Sequence, residues 1–185
     1  ALVWQGAALV WPSNVSGRPM VRSTIVLLVA LAVQLTWGAF MAGLKAALVA
    51  PTWPTINGQW VPMAVFGGGG WWWNDPLAVH VVHRMLAYAL VIGLLGWWWR
   101  ARLVLGALRH VVFGLVIAQT ALGALTTVQS VYEGRLLWFG VAHQLVGLSL
   151  MVALVLALQR VWGVKVVGVR LPVIASTVTP TEAPM

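Results

Sequence analysis

The chain consists of long apolar blocks separated by short polar or turn-rich breaks, with little of the strict alternation that marks half-buried strands. Four blocks, at about residues 23–49, 76–99, 103–128 and 136–162, each reach or exceed the roughly 20 residues that carry a helix across a bilayer. They predict an all-α, polytopic membrane protein: an antiparallel four-helix transmembrane bundle over residues 23–165. Asp75 followed by Pro76 marks one helix start, an N-cap side chain ahead of a first-turn proline. Residues 1–22 read as the end of a truncated membrane helix, ALVWQGAALVW, and a turn-rich link, PSNVSGRPMVR. Residues 166–185, with a Pro- and Thr-rich end, read as a disordered tail.

The long outer loop at 51–75 is too extended for a simple helix connection. Pro54, Asn57-Gly58 and Pro62 predict turns within it, and Gly67 to Gly70 precede Trp71 to Trp73. No strand precedes the glycines and no Lys-Ser/Thr follows them, so they do not form a phosphate loop. The tryptophans suit the headgroup layer, and the loop is expected to be a structured cap on the membrane surface with no chemistry of its own.

Composition agrees with the membrane class: 61% of residues are hydrophobic and 8% charged, with a mean hydropathy of +0.92. Eleven Lys and Arg against three acids, Asp75, Glu133 and Glu182, give a net charge of +8. The cations stand at the ends of apolar runs and not along one face, a distribution that orients a membrane protein and does not bind nucleic acid. Arg100, Arg102, Arg160 and Lys165 thereby mark the inner side. The absence of cysteine excludes disulfides, Cys-ligated zinc and iron–sulfur clusters.

Candidate chemistry lies inside the spans, where an ionisable side chain is costly and marks a site. His83 and Arg84 sit in the second span and His143 in the fourth. Both spans start from the outer surface and carry their histidine in the second turn, so at about 1.5 Å per residue both imidazoles lie roughly 10 Å below it. An echo, QLTWGA at 34–39 and QTALGA at 119–124, stands in the span before each histidine, so the chain reads as two helix pairs arranged alike. Gln34 needs a partner in another helix, in water or on a ligand. Gly140 and Gly147 clear the face above and below His143, as a planar macrocycle would require. From spacing alone three readings stand: a haem held by two axial histidines, a proton relay, or an interhelical hydrogen bond. His80, nearer the wet outer interface, and His110, beside Arg109, read as solvated or structural. Zinc at His80 and His83 lacks a third ligand at helical spacing.

The segments QLTWGAFMAGLKAALVAPTWPTINGQWVP, VVHRMLAY, QTALGALT and AHQLVG, in that order over residues 21–161, resemble the carboxy-terminal half of the haem A synthase family. The resemblance implies one half of an eight-helix protein of two four-helix bundles, which oxidises haem O to haem A for terminal oxidase assembly. It implies a haem b with its iron between His83, in the His-Arg motif, and His143, in the His-Gln motif, and Arg84 near a haem propionate. It also implies haem O as substrate of the full-length enzyme. The implied partners are the lipid bilayer, the amino-terminal half of the same protein, and haem O synthase or terminal oxidase assembly factors. The implied location is the bacterial cytoplasmic membrane, or the mitochondrial inner membrane in a eukaryote. The amino-terminal half of the family, with a glutamate ahead of its own His-Arg, is not in this chain. Glu133 in a turn and Glu182 in the tail cannot take that role, and Val82 precedes His83 here. The chain is therefore expected to be the haem-binding half, with catalysis an activity of the whole protein and no catalytic residue assigned. A b-type cytochrome electron-transfer subunit and a non-haem membrane scaffold are the two rival classes.

Overall fold

The computed structural model describes residues 18–67 and 72–163; the expected truncated helix at 1–11, most of its link, Gly68 to Trp71 and the tail from residue 166 lie outside the described residues. Four long helices dominate: α1 (Arg18–Gly43), α2 (Pro76–Arg100), α3 (Leu108–Val128) and α4 (Arg135–Gly163). Each is long and apolar enough to cross a membrane. The chain is an all-α integral membrane protein, and no strand occurs among the described residues.

The helix ends follow local chemistry. The Asp75 carboxylate accepts from the Ala78 amide at 2.8 Å, with Pro76 as the first helical residue, so α2 starts where the sequence places it. The first span does not run on to residue 49: α1 stops at Gly43, Lys45 takes a left-handed φ of 48°, and Ala46–Val49 forms a separate 3₁₀ turn. Likewise α2 passes into a 3₁₀ turn, Ala101–Leu103, and Gly106 at φ 49° resets the direction before α3. A left-handed residue cannot continue a right-handed helix, so both breaks are sharp.

The helices form a ring in which α1 packs on α2 and α4, and α3 on α4 and α2. The inner half, where Arg22, Arg100, Arg102, Arg109 and Arg160 gather, is solidly apolar. Leu27, Leu31, Leu94, Val112, Leu154 and Ala157 belong to one buried cluster there. The lipid side is equally apolar, with Val26, Ile92, Leu137 and Trp138 exposed, as expected of helices that are hydrophobic all round. One polar contact crosses this inner core: the Trp97 indole N–H donates to Thr24 Oγ1 at 2.8 Å, and that hydroxyl donates to the Met20 carbonyl at 2.7 Å. Thr24→Val strands the buried indole N–H and should cost about 1–3 kcal/mol, read as a lowered melting temperature in detergent, whereas Thr24→Ser should melt close to the parent.

The outer segment from Ala46 is not confined to a cap above the helices. Its carbonyls pair with α2 residues in ascending order: Ala46 with His80, Ala50 to Thr55 with Arg84, and Pro54 again with Tyr88. The segment therefore runs back beside the first turns of α2. Ile56, 1% exposed, anchors it against Ala50 and Val81. Asn57 and Gly58, both at positive φ, then turn the chain in a two-residue hairpin closed by Ile56 and Gln59.

Candidate functional site

Between the inner core and the outer segment lies a polar layer built by all four helices. His83 on α2 and His143 on α4 project from diagonally placed helices and face each other, ring centroids 6.5 Å apart and planes at 72°. The other two helices each add a glutamine. Gln34 Nε2 on α1 lies 3.2 Å from both ring nitrogens of His83 and donates to its carbonyl at 3.1 Å. Gln119 Nε2 on α3 lies 3.3 Å from His143 Nε2. The sequence echo is thus a structural one. Glutamine and glycine, four residues apart on α1 and α3, meet the histidine of the following helix.

Distance favours glycine at position 123, where an added Cβ would crowd the imidazole, whereas at position 38 it would make only ordinary contact. A Cβ on Gly123 would stand 3.0 Å from His143 Cε1, and one on Gly38 would stand 3.5 Å from His83 Cε1. Gly147 was expected to clear space beside His143, but a Cβ there would meet Gln119 Nε2 at 3.1 Å and Leu35 Cδ2 at 3.2 Å. The side chains of two neighbouring helices fill that face. Gly140 has nothing within 4 Å of a Cβ and does leave open space. Gly123→Leu should drive the imidazole of His143 off its position, cost about 1–3 kcal/mol and weaken any ligand held by His143. Melting and ligand retention, compared with the milder Gly123→Ala, check this.

Two imidazole nitrogens about 2.0 Å from one metal, each about 1.1 Å from its ring centre, set the centroids of a linear unit about 6.2 Å apart. His83 and His143 stand at a similar 6.5 Å. No third His, Cys, Asp or Glu joins them into a metal-holding group among the described residues. Two protein nitrogens cannot complete a tetrahedral zinc site, but they suffice where a macrocycle brings its own equatorial donors. Gln34 Oε1, Gln119 Oε1 and His143 Nδ1 are buried in this layer without a hydrogen-bond partner. Such orphaned polar atoms in a bundle centre fit a layer that receives a ligand.

Arg84, next to His83, is 6% exposed. Its guanidinium donates to the carbonyls of Thr52 at 2.5 Å, Thr55 at 2.9 Å, and Pro54 and Ala50 at 3.4 Å. The Tyr88 hydroxyl donates to Pro54 at 2.9 Å. His80 was placed by the sequence near the wet outer interface; it is fully buried, because the returning segment covers it. Its Nδ1 lies 2.9 Å from the Ala46 carbonyl, which can only accept, so Nδ1 carries the proton. His110 is exposed and sits edge-on to Trp98 at 6.1 Å, away from the layer.

Residues 1–176 match the cytochrome oxidase assembly protein family. The chain belongs to this family, that of the haem A synthases. It is 35% identical to the haem A synthase of Sphingopyxis alaskensis over 86% of this chain and 46% of that protein. It is 38% identical to the haem A synthase of Methylobacterium sp. (strain 4-46) over 77% and 42%, and 32% identical to that of Novosphingobium aromaticivorans over 91% and 49%. The chain thus spans about half the length of these relatives. No solved structure matches it.

Within this haem A synthase relative, the structure brings together His83 and His143 and gives Arg84 to the outer segment. Tyr88 and the loop carbonyls entered no sequence argument, and His80 entered only as a solvated or structural residue. The spacing of His80, Arg84 and Tyr88 at i, i+4 and i+8 was the available signal that one helix face meets a polar surface.

Proposed function

We propose that this chain is the haem-binding half of a haem A synthase, the membrane oxidoreductase that converts haem O to haem A for terminal oxidase assembly. In this reading His83 and His143 would hold one haem b. The observation that carries it is the facing pair at 6.5 Å, with no further metal-ligating side chain grouped with it among the described residues. When bound, the haem supplies one-electron iron chemistry. The chain's own residues supply the rest. Two imidazoles face the ligand, Gln34 and Gln119 orient them, Gly123 admits the edge of His143, and the outer segment covers His80 and Arg84 beside the layer. Arg84 adds a positive charge beside His83 that suits a haem propionate while it holds the segment.

The whole protein's substrate is haem O. Its partners are the bilayer, the amino-terminal half, and haem O synthase or oxidase assembly factors, in the bacterial cytoplasmic membrane or its mitochondrial counterpart. The family match and the haem A synthase names of the 32–38% identical relatives above support the enzyme reading. The test is a reduced-minus-oxidised visible spectrum of the chain purified after expression with ample haem, followed by pyridine haemochrome analysis. A low-spin band from haem B is expected; a chain free of haem would overturn the reading.

A further inference from the structure

A second feature lies on the lipid side of the bundle, far from the histidine layer. At about 1.5 Å per residue, Arg100 stands roughly 25 Å along α2 from His83. Here α1 and α2 frame an open groove of about 570 Å³, bounded by Val26, Ile92, Gly93, Gly96, Trp99 and Arg100. That volume falls within the range of about 300–1,000 Å³ of small-molecule sites.

The groove has a physical origin in two glycines. At Gly93 the helices touch, since a Cβ there would stand 3.0 Å from Leu27 Cδ2. Gly96, three residues on, has nothing within 4 Å of a Cβ, so its missing side chain opens the space. The walls are aliphatic and exposed, Val26 at 65% and Ile92 at 72%.

Its inner mouth is positively charged. Arg100 is exposed and makes no hydrogen bond or ion pair among the described residues. Arg102 packs its guanidinium over Trp99 at 4.6 Å, beside the same mouth. The first turn of α1, the positive end of that helix dipole, carries no acid, and Ser23 in the next turn lines the mouth. The described acids, Asp75 and Glu133, lie at the opposite end of the bundle. An apolar cleft ending in cations at the inner interface, beside an exposed Trp, matches a lipid with an acyl chain and an anionic headgroup.

We propose that this groove binds an anionic phospholipid of the inner leaflet, with its phosphate at Arg100 and an acyl chain along Gly93 and Gly96. The site is independent of the haem reading. It is tested by native mass spectrometry of the full chain released from detergent with added phosphatidylglycerol or phosphatidylcholine of identical acyl chains. The parent should retain phosphatidylglycerol about five-fold better, the preference one surface cation confers. Arg100→Gln should equalise the two lipids. Gly96→Leu, whose Cβ would meet nothing within 4 Å, should reduce retention of both, with melting measured for each variant. Equal retention of both lipids by the parent, or an unchanged preference in Arg100→Gln, overturns the proposal. So does a chain dimer that Gly96→Leu splits, which would make the groove a contact between copies.

Discussion

His83→Ala and His143→Ala should each abolish the low-spin haem band of the purified chain. The two rings meet from diagonal helices and are the sole His pair in ring contact among the described residues, so neither has a substitute. Loss of a partner one step removed from a metal lowers affinity about 10–100-fold, and loss of a direct ligand should exceed that. Haem content per chain, measured by pyridine haemochrome, should therefore fall below a tenth of the parent value in both. The alanine leaves a cavity, so added imidazole should restore part of the band, which mere misfolding would not allow. His110→Ala, whose ring is exposed against Trp98, should leave the spectrum unchanged. A band that survives in either His83→Ala or His143→Ala would exclude the axial pair.

Arg84→Met should lower stability by about 3 kcal/mol or more. The guanidinium is buried and serves four carbonyls of the outer segment; without it Ala50 and Thr52 lose their donor, while Thr55 and Pro54 keep those from Thr52 Oγ1 and Tyr88. Unsatisfied buried acceptors cost about 1–3 kcal/mol each, and partial relaxation of the segment offsets part of the sum. Arg84→Lys should fall between the two, because one ammonium on a flexible stem cannot reproduce a planar fork aimed at several acceptors. Tyr88→Phe removes one neutral bond and should cost about 1 kcal/mol. Melting in detergent gives the magnitudes, and hydrogen exchange gives the place: amides of residues 46–60 should lose protection in Arg84→Met before those of α4. Unchanged exchange in that segment would mean that Ile56 and its apolar neighbours hold it alone.

The same residues separate what a linear reading can and cannot reach. The four helices were legible because each apolar block is long enough to satisfy its own backbone within the bilayer, a local property. The N-cap at Asp75 and the hairpin turn at Asn57-Gly58 were legible for a similar reason, since both involve only neighbouring residues. The echo of Gln34 to Ala39 in Gln119 to Ala124 pointed to paired helices, because repeated sequence placed in repeated context packs alike.

What sequence alone could not reach depends on side chains that meet across large separations. Helical periodicity placed His80 on the same face as His83 but could not show that residues 46–55 return to cover it. Nor could it show that Arg84 spends its donors on that segment, because a long side chain at a given depth can reach up, down or sideways. The clearance assigned to Gly147 was sound along its own helix, yet Gln119 and Leu35 from two other helices occupy it. The sequence by itself determined the class of the protein, the number and direction of its helices, and which spans carry histidine, all of which follow from local hydropathy and spacing. Only the tertiary structure decided that the two imidazoles face each other at 6.5 Å, which atoms beside them stay unpaired, and where the charge of Arg84 goes. Those outcomes are set by packing between helices, where a shift of one side chain by an ångström decides which groups touch.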